Sequence, residues 1–132
     1  MKNVIKYQLP PLLWIAIIFT LSSIPRLQLT FESVLGADKI AHAVMFLVLC
    51  LLVRRAFFYQ DFFPLLKTYA LLGAFIFAVV YGILDEYHQT FVPGRVSDFY
   101  DVLADTGGAL LYVGISWLTR RPKVSEESSQ AS

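Results

Sequence analysis

Four apolar runs, Leu9–Ile24, Ile40–Val53, Tyr69–Leu84 and Val102–Leu118, limit what this chain can fold into. Each falls a little short of the ~20 residues that cross a ~30 Å hydrocarbon core. The polar groups at their ends therefore belong at, or just inside, a membrane interface. The runs are continuous rather than alternating, which excludes the strands of a membrane β-barrel. Composition disfavours a water-soluble globule: 57% of residues are hydrophobic and 16% charged, where soluble domains run nearer half and a quarter. The expected fold is all-α, a polytopic membrane protein built as a bundle of four transmembrane helices over about 9–24, 40–57, 69–88 and 98–118. These form one domain, residues 1–121. The polar tail that follows, residues 122–132, is too poor in apolar groups to pack and is expected to be disordered.

Local signals refine the runs. Pro10 and Pro11 suit the first turn of the first helix, and Pro25 stops it. Lys2 and Lys6 give that helix a basic start resembling a secretion signal, but no small-x-small cleavage site follows, so it is read as retained. With four spans, Lys2, Lys6, Arg54, Arg55, Lys67, Arg120, Arg121 and Lys123 share one side, eight of the eleven basic residues. Arg26, Lys39 and Arg95 lie on the other, with seven of the ten acids, among them Glu32. Positive-inside asymmetry then places both termini in the cytoplasm. A net charge of +1 gives no support for nucleic-acid binding, and Cys50 as the lone cysteine rules out a disulfide framework or a multi-cysteine zinc site.

The acids are not scattered. Asp38 and His42 stand one turn apart on the second helix, with Lys39 beside them. On the third, Tyr81, Asp85 and His88 share a stripe with Gln89 at its edge and Glu86 alongside. On the fourth, Asp98, Asp101 and Asp105 form another, above the small pair Gly107 and Gly108, which permits close helix approach. A Pro93-Gly94 turn carrying Arg95 joins the last two helices. Ionisable groups at membrane depth cost several kcal/mol unless paired or wet, so such a cluster is a functional candidate by default. Arg95 and Lys39 are the available counter-ions, and Arg95 has the fork geometry to hold a carboxylate or phosphate. Asp98 or Ser97 could equally cap the fourth helix. Ser22 and Ser23, near the end of the first helix, could help line the site, although serine in a membrane helix more often serves helix packing. His42 and His88 could ligate a metal with Asp38 and Asp85, but they lack any metal-motif spacing and read first as satisfied interfacial histidines, so no metal and no cofactor are expected.

The ordered pattern Ser22-Ser23-x-Pro25, Asp38-Lys39-x-x-His42, Glu86-x-x-Gln89-x-Phe91-x-Pro93-Gly94-Arg95, then Ser97, Asp101 and Asp105-x-x-Gly108, resembles the VanZ-like membrane proteins of bacteria. The likeness covers nearly the whole chain. One departure is Asp105, where many members carry Asn. The resemblance implies a small helical protein of the bacterial cell membrane and a link to low-level resistance to the glycopeptide teicoplanin.

Three functional classes follow. In the first, the protein acts at the outer face on a lipid-linked, phosphate- or carboxylate-bearing envelope molecule, as a binder or as a hydrolase or transferase. Glu86, Asp101, Asp105, His88 and His42 would then be the catalytic candidates. Arg95, Lys39, Gln89, Asp85, Asp38 and Asp98 would hold the substrate. Its partners would be membrane lipids or lipid-linked cell-wall precursors, with a glycopeptide involved at most indirectly. In the second class the cluster is a non-catalytic structural network with a housekeeping envelope role. The third, a small transporter, ranks last because the inner halves of the runs are almost purely apolar.

Overall fold

A computed structural model describes residues 2–25 and 37–120. Arg26, Glu32 and the expected tail 122–132 lie outside the described residues. The described chain is helical throughout: α1 (Lys2–Ser23), α2 (Ala37–Tyr59), a short α3 (Pro64–Thr68), α4 (Ala70–Gln89) and α5 (Phe99–Leu118), with no strand among these residues.

Three helices are long and apolar enough to cross a membrane, over Ile5–Ser23, Asp38–Tyr59 and Ala70–Gln89. The fourth long helix, α5, matches α4 in length. It does not join that set, because Asp101, Asp105 and the Thr106-Gly107-Gly108 segment dilute its apolar content. The outer surfaces are apolar, as lipid contact requires and water would penalise. Leu12, Leu13 and Ile17 of α1, Leu72, Ile76 and Val80 of α4, and Leu110 and Leu111 of α5 all stand exposed.

The prolines sit elsewhere than expected. Helix α1 starts at Lys2, not Leu9, so Pro10 and Pro11 lie within it rather than in its first turn. Neither can donate to the carbonyl four residues back, which leaves Lys6 and Tyr7 without that bond. Tertiary contacts hold the extra turns. Tyr7 stacks on Tyr59 with ring centroids 4.0 Å apart, Arg55 lies over the same ring at 5.6 Å, and Gln8 Nε2 donates to the Ala56 carbonyl at 2.9 Å. These contacts set α1 antiparallel to α2.

Arg54 does more than add to the basic side: its Nη1 donates to the Tyr112 hydroxyl at 2.9 Å and ties α2 to α5. The connection after α2 also contains an unanticipated turn. Gln60 folds back, accepting from the Phe63 N–H at 2.7 Å and donating to the Phe63 carbonyl at 2.8 Å, and Pro64 then opens α3. Proline suits that place because a first-turn N–H has no intrahelical partner.

Between the helices the packing uses small residues. Helix α4 buries Ala70, Ala74, Ala78 and Gly82, one every four residues, along a single ridge. Helix α5 buries Gly108 and Ala109. Against these lie Phe46, Leu49, Cys50 and Val53 of α2, all buried. Lipid is as apolar as leucine, so close backbone approach and dispersion, rather than expulsion of water, hold such helices together. Gly108 marks the tightest point: a Cβ built there would run into the backbone of Ala43, whereas one at Gly107 would meet nothing within 4 Å. Gly108→Ala is therefore expected to destabilise the protein by roughly 1–3 kcal/mol through overpacking, with Gly107→Ala neutral or better. Thermal unfolding of the detergent-solubilised pair checks this, and equal midpoints would refute the contact.

Candidate functional site

One end of this helix assembly is polar inside. It is formed by the C-terminal turn of α1, the first turns of α2, the last turns of α4 and the start of α5. Asp85, Glu86, Gln89, Asp101 and Asp105 are all buried there, together with Ser22. Local rules deliver several of these groups. Asp98 has extended backbone ahead of α5, and its Oδ1 accepts from the Tyr100 N–H at 2.9 Å, an ordinary N-cap. Pro93 and Gly94 occupy the centre of a turn closed by Arg95 N–H to the Val92 carbonyl at 3.1 Å. Gly94 takes φ 76°, the left-handed value a type II turn requires there.

The acids and bases sort into two groups. On the α1 side, Asp85 Oδ2 accepts from Ser22 Oγ at 2.7 Å and from Gln89 Nε2 at 3.1 Å. Arg95 extends this group: Nη1 donates to Gln89 Oε1 at 3.1 Å, Nε to the Ile24 carbonyl at 3.0 Å and Nη2 to the Leu21 carbonyl at 2.8 Å. Helix carbonyls at a C-terminus lack intrahelical donors, so Arg95 serves as the C-terminal cap of α1. His88 joins the same side, its Nε2 3.0 Å from Ser23 Oγ and its ring stacked on Phe19.

On the α5 side, Lys39 Nζ bonds both Asp101 Oδ1 and Asp98 Oδ2, the latter at 2.6 Å. His42 Nδ1 lies 2.9 Å from Asp105 Oδ1, and its Nε2 is 3.8 Å from Asp101 Oδ2. Glu86 turns toward α5 and accepts from the Asp98 N–H at 2.9 Å and from Ser97 Oγ at 3.3 Å. The two histidines thus serve different partners and share no bond.

Against the sequence reading, the structure places Asp38, Lys39, His42, Asp85, Glu86, His88, Gln89, Arg95, Asp98, Asp101 and Asp105 at this one end, and the pairings sharpen their roles. Lys39 does pair with acids. Arg95 instead holds backbone and an amide, leaving one N–H on each terminal nitrogen outside these bonds. Ser22 and Ser23, weighed in sequence mainly as packing groups, bond the site's own Asp85 and His88. Their position on the last turn of α1 is the signal that offered them to the site. Gly82 was missed. A Cβ there would come within 3.0 Å of Asp105 Oδ2, so this glycine makes the space in which Asp105 is buried.

The two groups meet at a cavity of about 160 Å³. Its wall changes from apolar (Ile18, Leu21, Met45, Phe46) to polar (Ser22, Asp38, His42, Asp85, Arg95). Asp85 Oδ1, Glu86 Oε1 and Asp105 Oδ2 are buried without a hydrogen-bond partner among the described residues. Such atoms are uncommon in native interiors and mark places where a proton, water or ligand is accommodated.

The model of the family described as VanZ/LLP1 matches residues 1–120. The chain belongs to that family. No curated protein and no solved structure gives a match.

Because Arg95 acts here through a fork of bonds and not through charge alone, Arg95→Lys is expected to destabilise the protein nearly as much as Arg95→Ala, by roughly 1–3 kcal/mol. Thermal unfolding of both variants tests this. A lysine variant as stable as wild type would show that the cap is dispensable.

Proposed function

We propose that this VanZ/LLP1-family chain is a multi-pass protein of the bacterial cell membrane whose polar end faces outward and receives the headgroup of a lipid-linked envelope molecule. The observation that carries the reading is the cavity wall. It passes from Ile18, Leu21, Met45 and Phe46 to Ser22, Asp38, His42, Asp85 and Arg95, the same change a lipid makes from acyl chain to headgroup. Four crossings are read by adding α5 to the three apolar helices. Its exposed Leu110, Leu111 and Ile115 suit lipid, and its acids turn inward toward α2 and α4. Outward orientation rests on the basic residues Lys6, Arg54, Arg55, Lys67 and Arg120, which gather at the opposite end.

In this reading Arg95, with its remaining N–H groups, meets a phosphate or carboxylate at the mouth of the cavity. Asp38, Asp85 and His42 line the same space and can accept or deliver a proton. A link to glycopeptide tolerance would follow from altered handling of an envelope precursor rather than from contact with the drug. The competing view, a purely structural network, has support in the bonds that tie Lys39, His42 and Arg95 to their neighbours across the helices.

Two measurements test the proposal. Cys50 is buried and contributes little labelling background, so Ser97→Cys should react with an impermeant maleimide on intact cells. Arg120→Cys should react only after permeabilisation, and the reverse pattern would overturn the orientation. Teicoplanin susceptibility and co-purified lipid, read by native mass spectrometry, are then compared for wild type and Asp85→Asn at matched folded levels. Loss of bound lipid or of protection in a folded variant is the expected outcome. Unchanged values would make the cluster architecture.

A further inference from the structure

We propose that Asp38, His42 and Asp101 form a binding site for a divalent transition metal of the zinc class, with Asp105 as the residue that orients His42. Asp38, His42 and Asp101 each offer a ligand atom, and these atoms lie within 4.8 Å of one another. The placement of the imidazole makes this more than proximity. Nδ1 lies 2.9 Å from Asp105 Oδ1, so Nε2 is the nitrogen left to a metal, and it faces Asp101 Oδ2 at 3.8 Å, too far for a hydrogen bond. A metal binding there would displace any proton on Nε2, as it does at every histidine ligand. Two ligands about 2.1 Å from a tetrahedral zinc ion stand about 3.4 Å apart, so a small contraction would complete such a pair.

The surroundings fit the same reading. A carboxylate behind the far nitrogen of a metal-bound imidazole is the usual second shell, fixing tautomer and ring direction. Asp105, 1% exposed and walled by Gly82, is rigidly placed for that task. Asp101 divides its oxygens, Oδ1 to Lys39 and Oδ2 toward His42, so the lysine stays on the far side of the carboxylate. A second, independent sign comes from α4. Asp85, 3% exposed, lines the cavity shared with Asp38 and His42, and its Oδ1 has no hydrogen-bond partner among the described residues. One imidazole and two carboxylates suit zinc, cobalt or manganese better than copper(I) or an iron–sulfur cluster, and three protein ligands leave a position open. That open position would face the cavity, where a phosphate or carboxylate oxygen could occupy it.

The probe is the metal alone. Full-length protein in detergent, stripped with chelator and dialysed against Zn²⁺, should take up one zinc per chain, and Co²⁺ in its place should give a visible ligand-field band. His42→Ala and Asp101→Asn should abolish both signals, and His88→Ala should retain them. Asp105→Asn should weaken binding about 10- to 100-fold, the usual cost of losing a second-shell carboxylate. No uptake by wild type overturns the site, as does wild-type affinity in His42→Ala. Should the buried variants fail to fold, Asp38→Asn decides, because Asp38 is exposed. Weakening of about tenfold or more supports the site, and unchanged affinity overturns it. The assay contains no lipid, so its failure leaves the headgroup proposal intact, and failure of that proposal leaves the zinc result standing.

Discussion

The carboxyl group of Asp105, buried where α5 crosses α2 and α4, is the constraint on which the polar end depends. A group of this kind inside a helix assembly is costly unless its partners are fixed in place. Here His42 supplies the bond from α2, Gly82 of α4 supplies the space, and Gly108 one turn further along α5 lets the two backbones close. Each of these three residues makes sense only because of the others. A larger residue at Gly82 or Gly108 would spread the helices and expose the Asp105–His42 pair.

From that crossing the two halves of the network follow different rules. The α5 half is electrostatic: Lys39, His42 and the acids Asp98, Asp101 and Asp105 neutralise one another at the start of a helix, where the dipole favours negative charge. The α1 half is mostly a matter of satisfying backbone and amide groups, with Arg95 closing the C-terminus of α1 and linking through Gln89 to Asp85. The result is an excess of acids over fixed bases in the interior, with acceptor oxygens left over. This excess separates the polar end from a simple set of interhelical clasps such as Trp14 to the Met45 carbonyl at 2.9 Å or Tyr81 to the Ile15 carbonyl at 3.2 Å.

Much of this was legible in the sequence. Unbroken apolar runs have one way to satisfy their backbone in lipid, so helices were the necessary reading, and the observed ends of α2, α4 and α5 fall within three residues of the expected 40–57, 69–88 and 98–118. Helical spacing also placed the acids of α2, α4 and α5 at a common depth, and the Pro93-Gly94 pair announced the turn that presents Arg95. Where α1 begins was not legible. Two prolines argue locally for a helix start, and only the stacking of Tyr7 on Tyr59 and the bond from Gln8 to Ala56 show why the helix continues past them.

The chain's sequence by itself therefore determined that it is helical and apolar and at which end of its helices the polar groups gather, because hydrophobic runs and helical periodicity act locally along the chain. Only the tertiary structure decided the pairing: Arg95 with the carbonyls of α1 rather than with an acid, Lys39 with Asp98 and Asp101, His42 with Asp105, and His88 with Ser23. Spacing fixes which face of a helix a side chain occupies, but its partner depends on which helix lies across that face and at what rotation. Those are set by small residues such as Gly82 and Gly108, whose meaning appears only when the opposing backbone is in place.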